Sequence, residues 1–116
     1  MIVEDDEGIR DAAKNILERA GYRVTLYTNG DHLLGPMEEL PDLFVLDKQL
    51  TGVDGLDICR HLKSQPATKD IPVLMLSASP HIITQAKQAG ADGALEKPFR
   101  LQELRAVVAS HMKRTA

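Results

Sequence analysis

Apolar positions along this chain alternate between two spacings. From Ile9 they recur at Ala12, Ala13, Ile16, Leu17 and Ala20, which predicts one face of a helix that Gly21 stops. Tyr22, Val24 and Leu26 then alternate with Arg23, Thr25 and Tyr27, a strand with one face on a core. Asn29-Gly30 turns the chain, and Asp31 is placed to cap a helix toward Leu40 that is short and bent because Gly35-Pro36 interrupts it. Leu43-Phe44-Val45-Leu46 is a continuous apolar run ending on Asp47, the pattern of a strand buried on both faces. Leu56, Ile58, Cys59 and Leu62 describe the next helix face, ending near Ser64-Gln65-Pro66. Val73-Leu74-Met75-Leu76 repeats the buried-strand pattern and ends on Ser77. Ser79 as cap, with Pro80 at the first helical position, opens a helix whose face is Ile82, Ile83, Ala86 and Ala89 and which Gly90 closes. Gly93 to Glu96 is a short strand before Lys97-Pro98, and Leu101, Leu104, Val107, Val108 and Met112 mark the last helix. Ahead of all these, Met1-Ile2-Val3 is an apolar stub running into Glu4-Asp5-Asp6-Glu7, acids that complement the dipole of the first helix.

The order is βαβαβαβαβα with short connections. Strands alternating with helices imply an α/β fold of the (βα)5 doubly wound kind: a five-stranded parallel sheet with helices on both faces. No repeat, low-complexity tract or linker divides residues 1–116, which read as one domain with a clipped first strand and no output domain. At 116 residues the chain can bury roughly two thirds of its unfolded surface without staples. A single cysteine, Cys59, excludes an internal disulfide, and no apolar signal segment follows Met1, so the expected location is cytoplasmic. No apolar run is long enough to span a membrane. A net charge of −3 argues against direct nucleic-acid binding, and the one basic cluster, His111-Met112-Lys113-Arg114, reads as a cationic helix end. Two Tyr, two Phe and no Trp offer no stacking platform. His32, His61, His81 and His111 lie on separate segments without metal-ligand spacing, and Cys59 reads as a small buried hydrophobe.

In an open parallel sheet ligands bind at the carboxyl edge of the strands. The chain sends Glu4 and Asp5 there from the first strand, Asp47 from the third, Ser77 from the fourth and Lys97 from the fifth. Singly, each has an ordinary structural role: a helix start, a satisfied backbone donor, a solvated strand-end charge. Together, three carboxylates converging without a cation would repel until one stayed protonated. Mg²⁺ relieves this, since it takes hard oxygen ligands and keeps waters and a phosphate oxygen. Phosphoryl transfer fits: Asp47 can attack a phosphoryl group, with Mg²⁺ and Lys97 neutralising its oxygens and Ser77 donating to one of them.

Ile2-Val3-Glu4-Asp5-Asp6, Pro41 to Asp47, Val53-Asp54-Gly55, Val73 to Ala78 and Lys97-Pro98-Phe99, with Ser77 thirty residues after Asp47 and Lys97 twenty after Ser77, resemble the response-regulator receiver domain of two-component signalling over nearly the whole chain. The resemblance implies that Asp47 takes phosphate from a phosphohistidine on a sensor histidine kinase or phosphotransfer protein. It implies Mg²⁺ bound by Asp5 directly, by Glu4 through water, by Asp47 and by the Gln49 backbone carbonyl, with Asp6 just outside. It also implies Ser77 and Lys97 on the phosphoryl group, a cis Lys97-Pro98 bond, and partners or a homodimer reading the fourth helix, fifth strand and fifth helix. The output domain or downstream protein is unknown, and the domain catalyses only its own phosphorylation and dephosphorylation.

Some positions depart from the family. Ala94 stands where many relatives carry an aromatic that turns inward, Thr51 replaces a loop proline, and Gly35-Pro36 breaks the second helix. The first strand is short of its relatives by about three residues, from which low thermal stability is expected. Two rivals remain. An aspartyl-nucleophile phosphatase would carry a second Asp where Gln49 stands and would need a cap domain; a degenerate receiver would bind partners without being phosphorylated.

Overall fold

The computed structural model describes residues 1–37, 39–50 and 52–112, so Thr51 and the Lys113-Arg114 half of the basic cluster lie outside the described residues. The elements follow in the expected order: β1 (Ile2–Val3), α1 (Glu7–Arg19), β2 (Leu26–Tyr27), α2 (Asp31–Leu34), β3 (Phe44–Asp47), α3 (Gly55–Ser64), β4 (Val73–Ser77), α4 (Ile82–Gln88), β5 (Gly93–Glu96) and α5 (Leu101–Met112). All five strands are parallel in one sheet of order β2-β1-β3-β4-β5. The first crossover, from β1 to β2, runs one way and the other three run the opposite way, so the strand order reverses between β1 and β3.

Alternation along the central strands divides the core into two layers. Val3, Phe44, Leu46, Val73 and Met75 face α2, α3 and α4, packing on Leu33, Ile58, Cys59, Leu62, Ile82 and Ala86. Ile2, Val45, Leu74 and Leu76 face the other way, onto Ala13 and Leu17 of α1 and Leu104 and Val108 of α5. Cys59 is fully buried, its thiol near the Ala89 carbonyl at 3.5 Å, and burial pushes that thiol up to about 11, as befits an inert small hydrophobe.

Helix ends use the expected chemistry in most places. Gly21 (φ 97°) and Gly90 (φ 89°) follow α1 and α4 in the left-handed region, letting the next amide bond back to Leu17 and Ala86 at 3.1 and 2.9 Å. Asp54 caps α3 by accepting from the Leu56 amide at 2.8 Å.

Four local expectations are corrected. β2 covers Leu26–Tyr27 rather than Tyr22 to Tyr27, because its neighbour β1 starts at Ile2: the Ile2 amide reaches the Thr25 carbonyl at 2.8 Å, and β1 has no residue to pair with Tyr22–Val24. Asp31 does not cap α2 but is its first residue; Gly30 is the N-cap without a side-chain bond, and Asn29 Oδ1 accepts from the Asp31 amide at 3.1 Å in the turn that precedes the helix. α2 is only four residues long and stops at Gly35, since the residue before a proline is driven out of the helical region. α4 begins at Ile82: Ser79 Oγ accepts from the His81 amide at 3.2 Å in a side-chain turn that precedes the helix. Ile82, Ala86 and Ala89 then share the buried face, while Ile83 is 67% exposed.

Candidate functional site

The carboxyl ends of β1, β3, β4 and β5 meet on one edge. Glu4 follows β1 and is fully buried, held by its amide on the Tyr27 carbonyl at 3.1 Å. Asp47 ends β3 and is 3% exposed, whereas Asp5 opens to solvent. Each of the three carboxylates offers an oxygen within 4.8 Å of the others. Lys97 reaches across two strands to join them: its Nζ donates to Glu4 Oε1 at 2.8 Å and to Asp47 Oδ1 at 3.2 Å. The Lys97 backbone is placed for this by its amide bond to the Ser77 carbonyl at 2.7 Å, and the Lys97–Pro98 peptide that follows is cis.

Burial pushes the Glu4 carboxyl up to about 7; the Lys97 ammonium opposes the shift, and the neighbouring Asp47 carboxyl adds to it. Lys97 feels burial in the opposite sense, but its two carboxylate partners outweigh that and hold its ammonium above the ordinary value. One acceptor at the site stays unmatched among the described residues: Glu4 Oε2 is buried without a hydrogen-bond partner. An orphaned buried carboxylate oxygen beside two further carboxylates is a set of hard oxygen donors short of one cation. The residues present therefore fit a small divalent ion such as Mg²⁺.

Ser77 is buried at the end of β4 and accepts from the Ser79 amide through its Oγ at 3.0 Å; among the described hydrogen bonds its hydroxyl meets neither Asp47 nor the Lys97 ammonium. Gln49 is exposed on the β3–α3 loop, where it forms an antiparallel bridge with Asp54 and lines a groove shared with Asp5. Asp6 serves α1: it is exposed and accepts from the Ile9 amide at 3.0 Å. The structure thus brings Glu4, Asp5, Asp47 and Lys97 together and sets Ser77 and Gln49 on the same edge, the Ser77 carbonyl bonding the Lys97 amide and Gln49 sharing a groove with Asp5. Sequence reasoning passed over Lys48, whose ammonium pairs with Asp54 Oδ2 at 3.4 Å beside the site. The available signal was a lysine directly following the strand that ends on Asp47.

Comparison with known proteins agrees with this geometry. Residues 1–109 match the response regulator receiver domain family. The chain is 35% identical over 116 residues to the phosphate regulon transcriptional regulatory protein PhoB of Rhizobium meliloti, covering 97% of this chain and 51% of that protein. It is 40% identical over 118 residues to the DNA-binding dual master transcriptional regulator RpaA of Synechocystis, covering 99% and 49%. The chain therefore spans about half the length of the curated relatives it matches. Among solved structures, the receiver domain of NtrX from Brucella abortus superposes with a TM-score of 0.86 at 30% identity, covering 97% of this chain and 96% of that one. The receiver domain of sensor histidine kinase PA1611 from Pseudomonas aeruginosa gives 0.84 at 25% identity, covering 97% and 94%, and holds a magnesium ion coordinated in its active-site cleft. With its fold, strand-end acids and sequence all in agreement, this chain belongs to the response regulator receiver domains of two-component signalling.

Proposed function

We propose that Asp47 is the phospho-acceptor of this receiver domain, taking its phosphoryl group from a phosphohistidine on a sensor histidine kinase or a phosphotransfer protein. The observation that carries this reading is the pairing of one lysine with two buried carboxylates, one of which keeps an orphaned oxygen beside the exposed Asp5. Asp47 Oδ attacks phosphorus while the phosphorus–nitrogen bond breaks and its electron pair returns to the donor imidazole. Asp5, Asp47 and the Gln49 carbonyl, with Glu4 through water, would hold Mg²⁺, which when bound would neutralise charge on the transferred group. Lys97, already within reach of Asp47, supplies the second positive charge, and Ser77 leaves the Ser79 amide to donate to a phosphoryl oxygen.

The added charge switches partner binding rather than driving turnover of a substrate. The surface read by an output domain, a downstream protein or a second copy of the chain includes α4, β5 and α5, where Ile83 and Leu101 are exposed at 67% and 38%. No helix among the described residues is long and apolar enough to cross a membrane, and we place the domain in the cytoplasm without direct contact to nucleic acid. Incubation with Mg²⁺ and acetyl phosphate should raise the intact mass by one phosphoryl group. No gain, or an equal gain in Asp47→Ala, removes the proposal.

A further inference from the structure

Two lysines flank the site, and they are held very differently. Lys97 is locked between Glu4 and Asp47. Lys48, next to Asp47 in the chain, has its backbone fixed on both sides, its amide bonding to the Leu76 carbonyl at 2.8 Å and its carbonyl accepting from Gly55 at 2.7 Å. Its side chain is only 19% exposed, yet its one described charged partner is Asp54, at 3.4 Å and 41% exposed. A long ion pair with an open carboxylate holds a lysine weakly. Asp54 does not depend on it either, since its other oxygen caps α3 through the Leu56 amide at 2.8 Å.

Lys48 and Asp54 line an open groove of about 480 Å³ that also takes in Gln49 and Asp5, the exposed member of the three-carboxylate cluster. Of the charged groups lining it, two are acidic and one, Lys48, is a cation. A phosphodonor carries negative charge on its phosphoryl oxygens; Mg²⁺ bound at Asp5 would answer part of it, and Asp54 on the other side of the groove repels it unless Lys48 turns from Asp54 to the donor. Building on the assignment of Asp47 as acceptor, we propose that Lys48 is the donor-binding residue of this domain: it releases Asp54 and pairs with the phosphoryl oxygens of the incoming donor before transfer. With acetyl phosphate, an oxygen of Asp47 forms the new oxygen–phosphorus bond, the bond from phosphorus to the acetyl oxygen breaks, and its electron pair leaves with acetate.

A lysine that merely braced the loop would be crippled equally by losing either partner, whereas a lysine held in reserve by Asp54 would be freed by losing it. The test measures intact-mass phosphorylation rates of the whole chain against acetyl phosphate concentration at saturating Mg²⁺, for wild type, Lys48→Gln, Lys48→Arg and Asp54→Asn. Asn keeps the α3 cap. Lys48→Gln should lower the second-order rate constant roughly threefold to tenfold through weaker donor saturation, with an unchanged maximal rate and a flatter dependence on ionic strength. Lys48→Arg should retain most of the rate, and Asp54→Asn should exceed wild type. Calorimetric Mg²⁺ affinity should not fall in Lys48→Gln. The assignment is overturned if Lys48→Gln phosphorylates like wild type, if Asp54→Asn slows alongside it, or if Lys48→Gln loses Mg²⁺ affinity, which would mark a brace. A wild-type chain that gains no mass instead overturns the reading of Asp47, and the role of Lys48 with it.

Discussion

Glu4 should make the metal-free protein lose stability as pH rises through neutrality, and Glu4→Gln should abolish that loss. The carboxyl stands at about 7 in the folded chain against an ordinary 4.5. A group raised on folding contributes its stabilisation in full below its unfolded value and loses it as pH climbs through the folded one. The difference corresponds to about 3 kcal/mol, of which roughly 2 kcal/mol falls between about pH 5.5 and about pH 8.5. For a chain of this length that is a drop of roughly 6–10 °C in melting temperature. The amide of Glu4→Gln occupies the same space and still accepts from Lys97 without titrating. The histidines are common to both proteins, so they cancel in the difference between the two stability curves. Lys97 is raised from 10.5 and keeps its contribution throughout this range. Urea unfolding with a chelator present, at half-unit pH steps, gives the difference directly. Parallel curves for wild type and Glu4→Gln would refute the burial argument. Added Mg²⁺ should restore wild-type stability more at the alkaline end than at the acid end, because the ionised carboxylate is the form that holds a cation.

Two other changes test how the frame holds the site. A Cβ at Gly55 would overlap the Asp47 carbonyl oxygen and crowd Lys48 Cα, both backbone atoms, so Gly55→Ala should force the start of α3 away and cost about 1–3 kcal/mol in urea unfolding; a change within experimental error would show the helix free to shift. Lys63 bonds through its ammonium to the Ile71 carbonyl at 2.9 Å, the Lys69 carbonyl at 3.2 Å and Asp92 Oδ2 at 2.8 Å. Burial pushes Asp92 up, but the bonds from Lys63 and the Val73 amide outweigh it and hold the carboxyl below its ordinary value. Stability from Asp92 is therefore present above its unfolded value and lost as pH falls through the folded one, and in Lys63→Ala an NMR titration of Asp92 should move upward, with a loss of about 1–3 kcal/mol.

Legibility in the sequence followed the physics of each segment. Leu43 to Asp47 and Val73 to Ser77 declared themselves because a strand buried on both faces must be apolar at every position. Tyr22 to Tyr27 carried a correct alternation, but a strand needs a partner, and the partner's length is written elsewhere in the chain. Ile83 belongs to the exposed face, because the buried stripe of α4 runs through Ile82, Ala86 and Ala89 and Ile83 falls to its side. The acids and Lys97 were readable as strand ends. Their hydrogen bonding was not, since Glu4 and Lys97 lie 93 residues apart and meet only through sheet order. Lys48–Asp54 and Lys63–Asp92 left no periodic trace for the same reason: each joins side chains across a loop or between elements.

The site is also where the fold works against itself. β1, β3 and β4 lie inside the sheet, so whatever their ends carry is desolvated, and β1 and β3 end on carboxylates. In a protein selected for stability alone, Glu4 and Asp47 would be apolar, and Lys97 would be released to solvent. Lys97 pairs one oxygen of each acid and leaves Glu4 Oε2 without a hydrogen-bond partner among the described residues. That residual deficit is small enough for the empty domain to tolerate by protonating Glu4, yet large enough to make a cation welcome. Because Lys97 already bridges both acids, a charge placed on Asp47 must be answered by the same ammonium that steadies Glu4. Phosphorylation of Asp47 would thus be felt at once on β1 and β5, at Glu4 and Lys97, without any aromatic at Ala94 to carry it.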